Sequence, residues 1–147
     1  MPAHFQIKEI PAAQTWPVRH EVMWPDKPES FVRLPEDEAG IHFGLFVEQQ
    51  LVSVLSLFLY GEQAQFRKFC TLPAFQKKGF GAALLQHVLA FASVQGACSI
   101  WCHARASARS FYQKAGLQEK GEVFRKNDLA YVKMVFEVTD PRRSQVN

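Results

Sequence analysis

At 147 residues the chain has room for one domain of ordinary size and not for two independent cores. It is 48% apolar, 21% charged and 13% aromatic, which is globular usage; a chain with 13 Phe must bury them, so disorder is excluded. The net charge of +3 hides an asymmetry, with 4 Lys/Arg against 8 Asp/Glu in residues 1–60 and 13 against 6 in residues 61–147.

The basic half suits a polyanionic partner, such as nucleic acid, an acidic surface or a phosphorylated cofactor. From charge alone a merely solvated basic face is the more ordinary reading. The longest apolar run, residues 51–60, is interrupted by Ser53 and Ser56 and falls far short of the roughly 20 apolar residues that span a bilayer. No basic stretch followed by an apolar run opens the chain, so no secretory leader and no membrane partner are expected. Cys70, Cys98 and Cys102 are odd in number and lack framework spacing, so they read as reduced thiols of a cytoplasmic protein.

Residues 5–10 alternate and are stopped by Pro11, which predicts a first strand. Residues 12–24 are predicted helical with an interruption at Pro17. Pro25, Pro28 and Pro35 then hold an irregular acidic connection over 26–38. Residues 41–47 and 51–60 are two apolar strands joined by Glu48-Gln49-Gln50, a hairpin without an Asn-Gly to fix its turn. A fourth strand, 64–71, ends before Pro73. From Gln76 a helical pattern opens, with Leu84, Leu85, Val88, Leu89 and Ala92 at buried-face spacing and Gly96 at its close. A strand follows over 99–103. Ser107 is placed to cap a short helix whose Ala108, Phe111, Tyr112 and Ala115 share a face, and Gly116 closes it. Residues 117–124 and 129–138 are the last strands, around Lys126-Asn127-Asp128. The polar tail begins at 141, after a single domain over 1–140. The sum is an α+β sandwich, a mixed sheet of about seven strands with helices on both faces.

Gln76-Lys77-Lys78-Gly79-Phe80-Gly81, placed between a strand and a helix, has the chemistry of an anion cradle. First-turn N–H groups lack helical partners and the helix dipole adds partial positive charge. Gly79 and Gly81 admit a phosphate close to the backbone, and Lys77 and Lys78 add full charges. The loop is neither a dinucleotide fingerprint, since Leu84 stands where a third Gly is required, nor a P-loop, since no Gly-Lys-Ser/Thr follows. A plain Gly turn before a core helix is the alternative.

Gln-x-x-Gly-x-Gly at 76–81, followed by a long apolar helix, a strand and then Ser110-Phe111-Tyr112-Gln113-Lys114-Ala115-Gly116-Leu117, resembles the GNAT N-acetyltransferase superfamily. The resemblance is close over 66–117 and extends in element order over 5–138. It implies a splayed sheet with acetyl-CoA, used as a co-substrate, lying between the fourth and fifth strands. The pyrophosphate would lie on Gln76, Lys77, Lys78, Gly79, Phe80, Gly81 and Ala82. The pantetheine would run along Cys70, Thr71 and Leu72, with the N–H of Cys70 or Leu72 facing the thioester carbonyl. Arg105 stands where many members carry a cofactor-contacting Asn, and other branches carry Ala-Arg there.

Such an enzyme transfers an acetyl group directly to a primary amine. The amine must lose a proton, the oxyanion needs a donor, and the thiolate needs a proton or a strong hydrogen bond. Tyr112 matches the family's general acid. A phenol giving its proton to a thiolate is uphill by about 2 kcal/mol, which a transition state tolerates. The alternative for Tyr112 is a core ring. The carboxylate that many members carry in the fourth strand is absent from Gln65-Phe66-Arg67-Lys68-Phe69. His103, His42, Glu62 or a water chain remain as bases. His103 is the choice because imidazole titrates nearest neutrality and, on the fold the resemblance implies, it lies near the splay, with a strand-end His bonded to the backbone as the alternative. A Cys70 acyl-enzyme with His103 as its base is the minor route. Cys98-x3-Cys102-His103 lacks a fourth ligand, so no metal is expected. Arg19, His20, Trp24 and an acidic lip of Glu36-Asp37-Glu38 are the distinctive residues of the half that would wall the acceptor cleft.

The acceptor is a small-molecule or peptide amine, and a homodimer is allowed. The competing class is a binding module on the same fold, either a non-catalytic CoA sensor or a basic nucleic-acid-binding domain. Gly79, Gly81 and Tyr112 are intact, which argues against the sensor. No basic-aromatic recognition motif is present, which argues against nucleic acid.

Overall fold

The computed structural model describes residues 4–139. In chain order the elements are β1 (Phe5–Ile10), α1 (Ala12–Met23), β2 (Ile41–Val47), β3 (Gln50–Tyr60), β4 (Gln63–Thr71), α2 (Phe80–Val94), β5 (Ser99–Arg105), α3 (Arg109–Lys114), β6 (Gln118–Lys126) and β7 (Leu129–Glu137). Hydrogen bonding orders the strands β1-β2-β3-β4-β5-β7-β6 in a seven-stranded mixed sheet, the α+β architecture expected. The described residues form two compact units, one of residues 4–58 and 66–88, the other of residues 59–65 and 89–139. The predicted polar tail lies outside the described residues. Among the described residues no helix is long and apolar enough to cross a membrane.

In the first unit, β1 and β2 pair antiparallel with Phe5 opposite Val47 and Ile10 opposite His42. Because side chains alternate across a strand, Phe5 and Phe43 face one side and Ile10, Gly44 and Val54 the other. The first side receives the start of α2, where the Phe80 ring lies 6.1 Å from Phe5 and His87 lies 5.7 Å from Phe43. The second side receives α1, whose Val18 packs with Ile10, Val54 and Cys70. Helix α1 runs through Pro17 without the predicted interruption. The carbonyl orphaned by the missing N–H belongs to Ala13, and both residues are exposed, so water can take the bond. The β2–β3 turn is made by Glu48 and Gln49 with φ of +48° and +74°, the left-handed pair that Asn-Gly usually supplies.

The connection from α1 to β2 is irregular, as its prolines predict, but it is anchored by a buried polar network. Arg19 is fully buried. Its guanidinium donates to both Asp37 carboxylate oxygens at 3.0 Å, to the Val32 carbonyl at 3.0 Å and to Ser56 Oγ at 2.9 Å. Trp16 Nε1 and the Leu34 N–H also donate to Asp37, at 3.0 and 2.9 Å. His42 bridges Ser56 Oγ and the Asp37 carbonyl at 2.7 and 2.8 Å. Only Arg19 Nε lacks a partner in this cluster. Burial raises the Asp37 carboxyl, but the bonds from Arg19, Leu34 and Trp16 override it and bring its pKa to about 2.

In the second unit, residues 63–65 pair parallel with 99–101 of β5. β5 pairs antiparallel with β7, and β7 with β6. Ile100, Cys102, Ala104, Val132 and Met134 form the buried side, while His103 and Arg105 point to the exposed one. Gly96, at φ +103°, closes α2 as predicted. The expected Ser107 cap is corrected: residues 106–108 form a separate 3-10 turn, and the N-cap of α3 is Ala108, with no side-chain bond.

Removing Arg19 leaves a buried carboxylate uncompensated. Arg19→Met is therefore expected to cost about 3–5 kcal/mol in urea unfolding. Asp37 titrates below its ordinary 3.8, so its contribution is complete above about pH 4 and is lost as pH falls through about 2. Asp37→Asn should be less stable at neutral pH and should lose less stability than the parent between pH 4 and 2. Acid titration of the urea midpoint checks both.

Candidate active site

The glycine loop belongs to the first unit. Leu72 leads into a 3-10 turn, Pro73–Phe75, after which Lys77 and Gly79 adopt φ of +61° and +88°. A non-glycine residue in this region is uncommon, and the two together fold the loop back onto the start of α2. The Gly79 carbonyl accepts the Ala83 N–H at 3.0 Å, which makes Gly79 the residue before the helix. The N–H groups of Phe80, Gly81 and Ala82 therefore precede the first helical bond and have no intrahelical acceptor. Lys77 and Lys78 are exposed beside them, and Gln76 Nε2 donates to the Thr71 carbonyl at 2.9 Å, tying the loop to β4. The Phe80 side chain is buried at 4% exposure between Phe5 and Phe75, so it anchors the turn and only its N–H is left for a ligand. An open anion cradle backed by two lysines fits a pyrophosphate.

The β4 backbone corrects one expectation. The Leu72 N–H donates to the Val52 carbonyl at 2.8 Å, so it is not available to a thioester. N–H directions alternate along an extended chain, so Cys70 faces β3 with Leu72. Thr71 lies opposite Ser53 with their hydroxyls 2.8 Å apart, and its backbone N–H faces away from β3. Lys68, at φ +55°, adds a left-handed residue inside β4, as at a β-bulge. The sequence carries no signal for it, because the residue is neither Gly nor Asn.

His103, Arg105 and Tyr112 belong to the second unit. His103 and Arg105 lie on the exposed side of β5, with the His103 ring 5.0 Å from both Trp101 and Phe124. The Tyr112 hydroxyl hydrogen-bonds Cys102, whose side chain points to the opposite, buried side of β5. The pleat of β5 thus separates His103 from Tyr112, and they are not a hydrogen-bonded acid–base couple. Burial, the neighbouring Cys102 and that hydrogen bond together hold the Tyr112 phenol well above its ordinary range. Cys102 is the partner that sequence spacing did not reveal.

Several other candidates are occupied elsewhere, while Glu62 is exposed in the β3–β4 turn. His42 and the Arg19–Asp37 pair belong to the buried network, and Glu36 pairs with Arg67 at 3.1 Å. The acidic lip is therefore corrected: two of its three carboxylates already hold arginines. Among the described residues no cluster of three His, Cys, Asp or Glu side chains is placed to hold a metal.

A family model described as an acetyltransferase (GNAT) domain matches residues 19–138. The chain belongs to the GNAT acetyltransferase family. It is 27% identical over 128 residues, 81% of this chain and 86% of the relative, to the uncharacterised N-acetyltransferase YitI of Bacillus subtilis (strain 168). Its fold matches the ribosomal-protein-S18-alanine N-acetyltransferase of Escherichia coli with a TM-score of 0.77 at 18% identity, covering 93% of this chain and 96% of that one. It also matches a GNAT acetyltransferase of Elizabethkingia anophelis with acetyl-CoA bound, with a TM-score of 0.71 at 16% identity, covering 93% and 100%.

Within this GNAT chain a cysteine nucleophile has no support. Burial pushes the Cys70 thiol up to about 12, against smaller opposing effects of Arg19 and Lys68. Burial likewise pushes Cys102 up to about 12, against the Tyr112 hydrogen bond. Cys98 is only half-buried. At pH 8 an aromatic disulfide reagent should titrate one thiol quickly in the native protein and the other two only on unfolding. Peptide mapping should place the fast label on Cys98.

Proposed function

We propose that this GNAT acetyltransferase moves the acetyl group of acetyl-CoA directly to a primary amine. The observation that carries the reading is the cradle at the start of α2, where left-handed Lys77 and Gly79 precede three N–H groups without helical acceptors. The pyrophosphate is assigned to that loop, and Arg105 to a further contact with the cofactor. The Thr71 N–H, facing away from β3, is the donor for the pantetheine or the thioester carbonyl, as a strand added to β4 would use it.

Bond making at the amine nitrogen and bond breaking at the sulfur call for separate groups. His103 is the candidate to take the amine proton. Tyr112 serves the departing sulfur. Its phenol holds its proton firmly, so it stays neutral across the working range and acts mainly as a hydrogen-bond donor that strengthens as thiolate charge appears. A thiol sulfur is a weak acceptor. Turning from Cys102 to a developing thiolate therefore costs the hydroxyl little and gains a charge-assisted bond.

Tyr112→Phe deletes this bond and keeps the ring. The expected result is a kcat lower by about 10- to 100-fold with acetyl-CoA affinity and melting temperature nearly unchanged, because the interaction is made only in the transition state. Normal turnover with a small stability loss would reduce Tyr112 to a core ring.

Gly81→Val places a branched side chain at the cradle. Acetyl-CoA affinity should fall at least about tenfold, while circular dichroism reports an unchanged fold. Affinity equal to the parent's would remove the loop assignment. Binding of acetyl-CoA without release of CoA thiol on any amine tested would favour a sensor instead.

A further inference from the structure

Around His103 and Arg105, the exposed side of β5, β7 and β6 carries aromatic rings and lysines to which the acetyl-transfer chemistry gives no role. Cross-strand register lines up three rows on this side: Trp101 with Val135 and Gln118, His103 with Lys133 and Lys120, and Arg105 with Tyr131 and Phe124. The middle row sets Lys120 directly opposite Lys133, and Lys133 directly opposite His103. Like charges directly across a strand pair destabilise it. Glu137 answers one of them, pairing with Lys120 at 3.1 Å. Lys133 Nζ instead lies 4.6 Å over the Trp101 ring.

Aromatic rings flank this cationic row. Trp101 lies on one side, and Phe124 and Tyr131 are stacked on the other, 5.9 Å apart at 22°. His103 sits between the flanks, 5.0 Å from Trp101 and 5.0 Å from Phe124. The buried face of the same strands is already filled by Ile100, Cys102, Ala104, Val132 and Met134. On the other side Val135 is buried as well, but Trp101, Tyr131 and Lys133 are only half-buried and Phe124 is 36% exposed, so these rings are not closed into the core.

We propose that this face recognises the amine acceptor, and that the acceptor carries an aromatic ring and a carboxylate, as an aromatic amino acid does. The carboxylate lies over the Lys133–Lys120 row and offsets its repulsion, and the ring stacks beside Phe124, Tyr131 or Trp101. A row crossing three strands spans about 10 Å, which suits one carboxylate rather than a run of phosphates. A second copy of the chain docked through the same face would set these lysines near their own duplicates. The proposal rests on the acetyl-transfer reading and deepens it by naming the acceptor class.

The test separates the two ideas by using a probe that cannot react. Phenylacetate, with a ring and a carboxylate but no amine, is titrated into the full chain without acetyl-CoA, and the Trp101 indole and Phe124 resonances are followed by NMR. Both should shift. Lys133→Met should weaken the binding about tenfold, without a fall in melting temperature. In thiol-release assays L-phenylalanine should give a higher kcat/KM than phenethylamine, which lacks the carboxylate, or spermidine, which lacks the ring as well. Lys133→Met should raise the KM for L-phenylalanine about tenfold and leave the KM for acetyl-CoA alone.

Failure of phenylacetate to bind at millimolar concentration overturns the proposal. So does a preference for spermidine, or perturbation of Trp101 by a single-stranded oligonucleotide or by self-association in its place. Turnover confined to spermidine keeps the transfer reading and removes the acceptor class. Phenylacetate bound at this face, with no acetyl-CoA binding and no turnover, keeps the face as an aryl-carboxylate site, removes its role in acceptor recognition and overturns the transfer reading.

Discussion

A β-strand offers its backbone to a given neighbour only at alternate residues, and its side chains alternate between two faces in the same way. The arrangement of candidate site groups depends on this constraint in two strands. In β4 the bond from Leu72 to Val52 and the Ser53–Thr71 hydroxyl pair fix which N–H groups are spent on the sheet and leave Thr71 facing outward. In β5 the same alternation sends Cys102 inward to meet Tyr112 and His103 outward among aromatic rings. A slip of one residue in either strand would exchange these roles.

The polar cluster around Arg19 is built on a different principle. A guanidinium without solvent is costly, and this one is matched by a bidentate carboxylate, a carbonyl and a hydroxyl. The bonds tie α1 through Arg19, the irregular connection through Val32 and Asp37, and β3 through Ser56, and His42 adds β2. A proline-rich connection with few apolar residues has little core of its own to hold it. Buried hydrogen bonds provide the order that hydrophobic packing would supply elsewhere. The unpartnered Nε is the remaining cost of placing a five-donor side chain in a dry site.

Tyr112 and Cys102 illustrate how burial sets chemical roles. Both groups are held protonated by desolvation, which makes the thiol a poor nucleophile and the phenol a reluctant acid. A reluctant acid is still an effective hydrogen-bond donor where negative charge develops late. An acyl-enzyme would need a thiolate, which desolvation disfavours at both Cys70 and Cys102.

Element order, the strand-loop-helix cradle and the Phe111-Tyr112 helix were legible in the sequence because each is a local pattern. Apolar period, glycine position and turn residues act over a few neighbours, and they placed most strands within one or two residues of where they lie. What failed locally were features lacking a residue-type signal, such as the left-handed Lys68 and Lys77, the uninterrupted helix through Pro17 and the missing Ser107 cap. The sequence by itself determined which residue types were available to bind an anion and to hold a proton. Only the tertiary structure decided which of them could act. Backbone donors are consumed by register, Arg19 and Asp37 find each other across 18 residues, and the ring-and-lysine face is assembled from β5 and the β6–β7 hairpin, which α3 separates in the chain. Pairing across strands is a property of register, and no single stretch of sequence contains it.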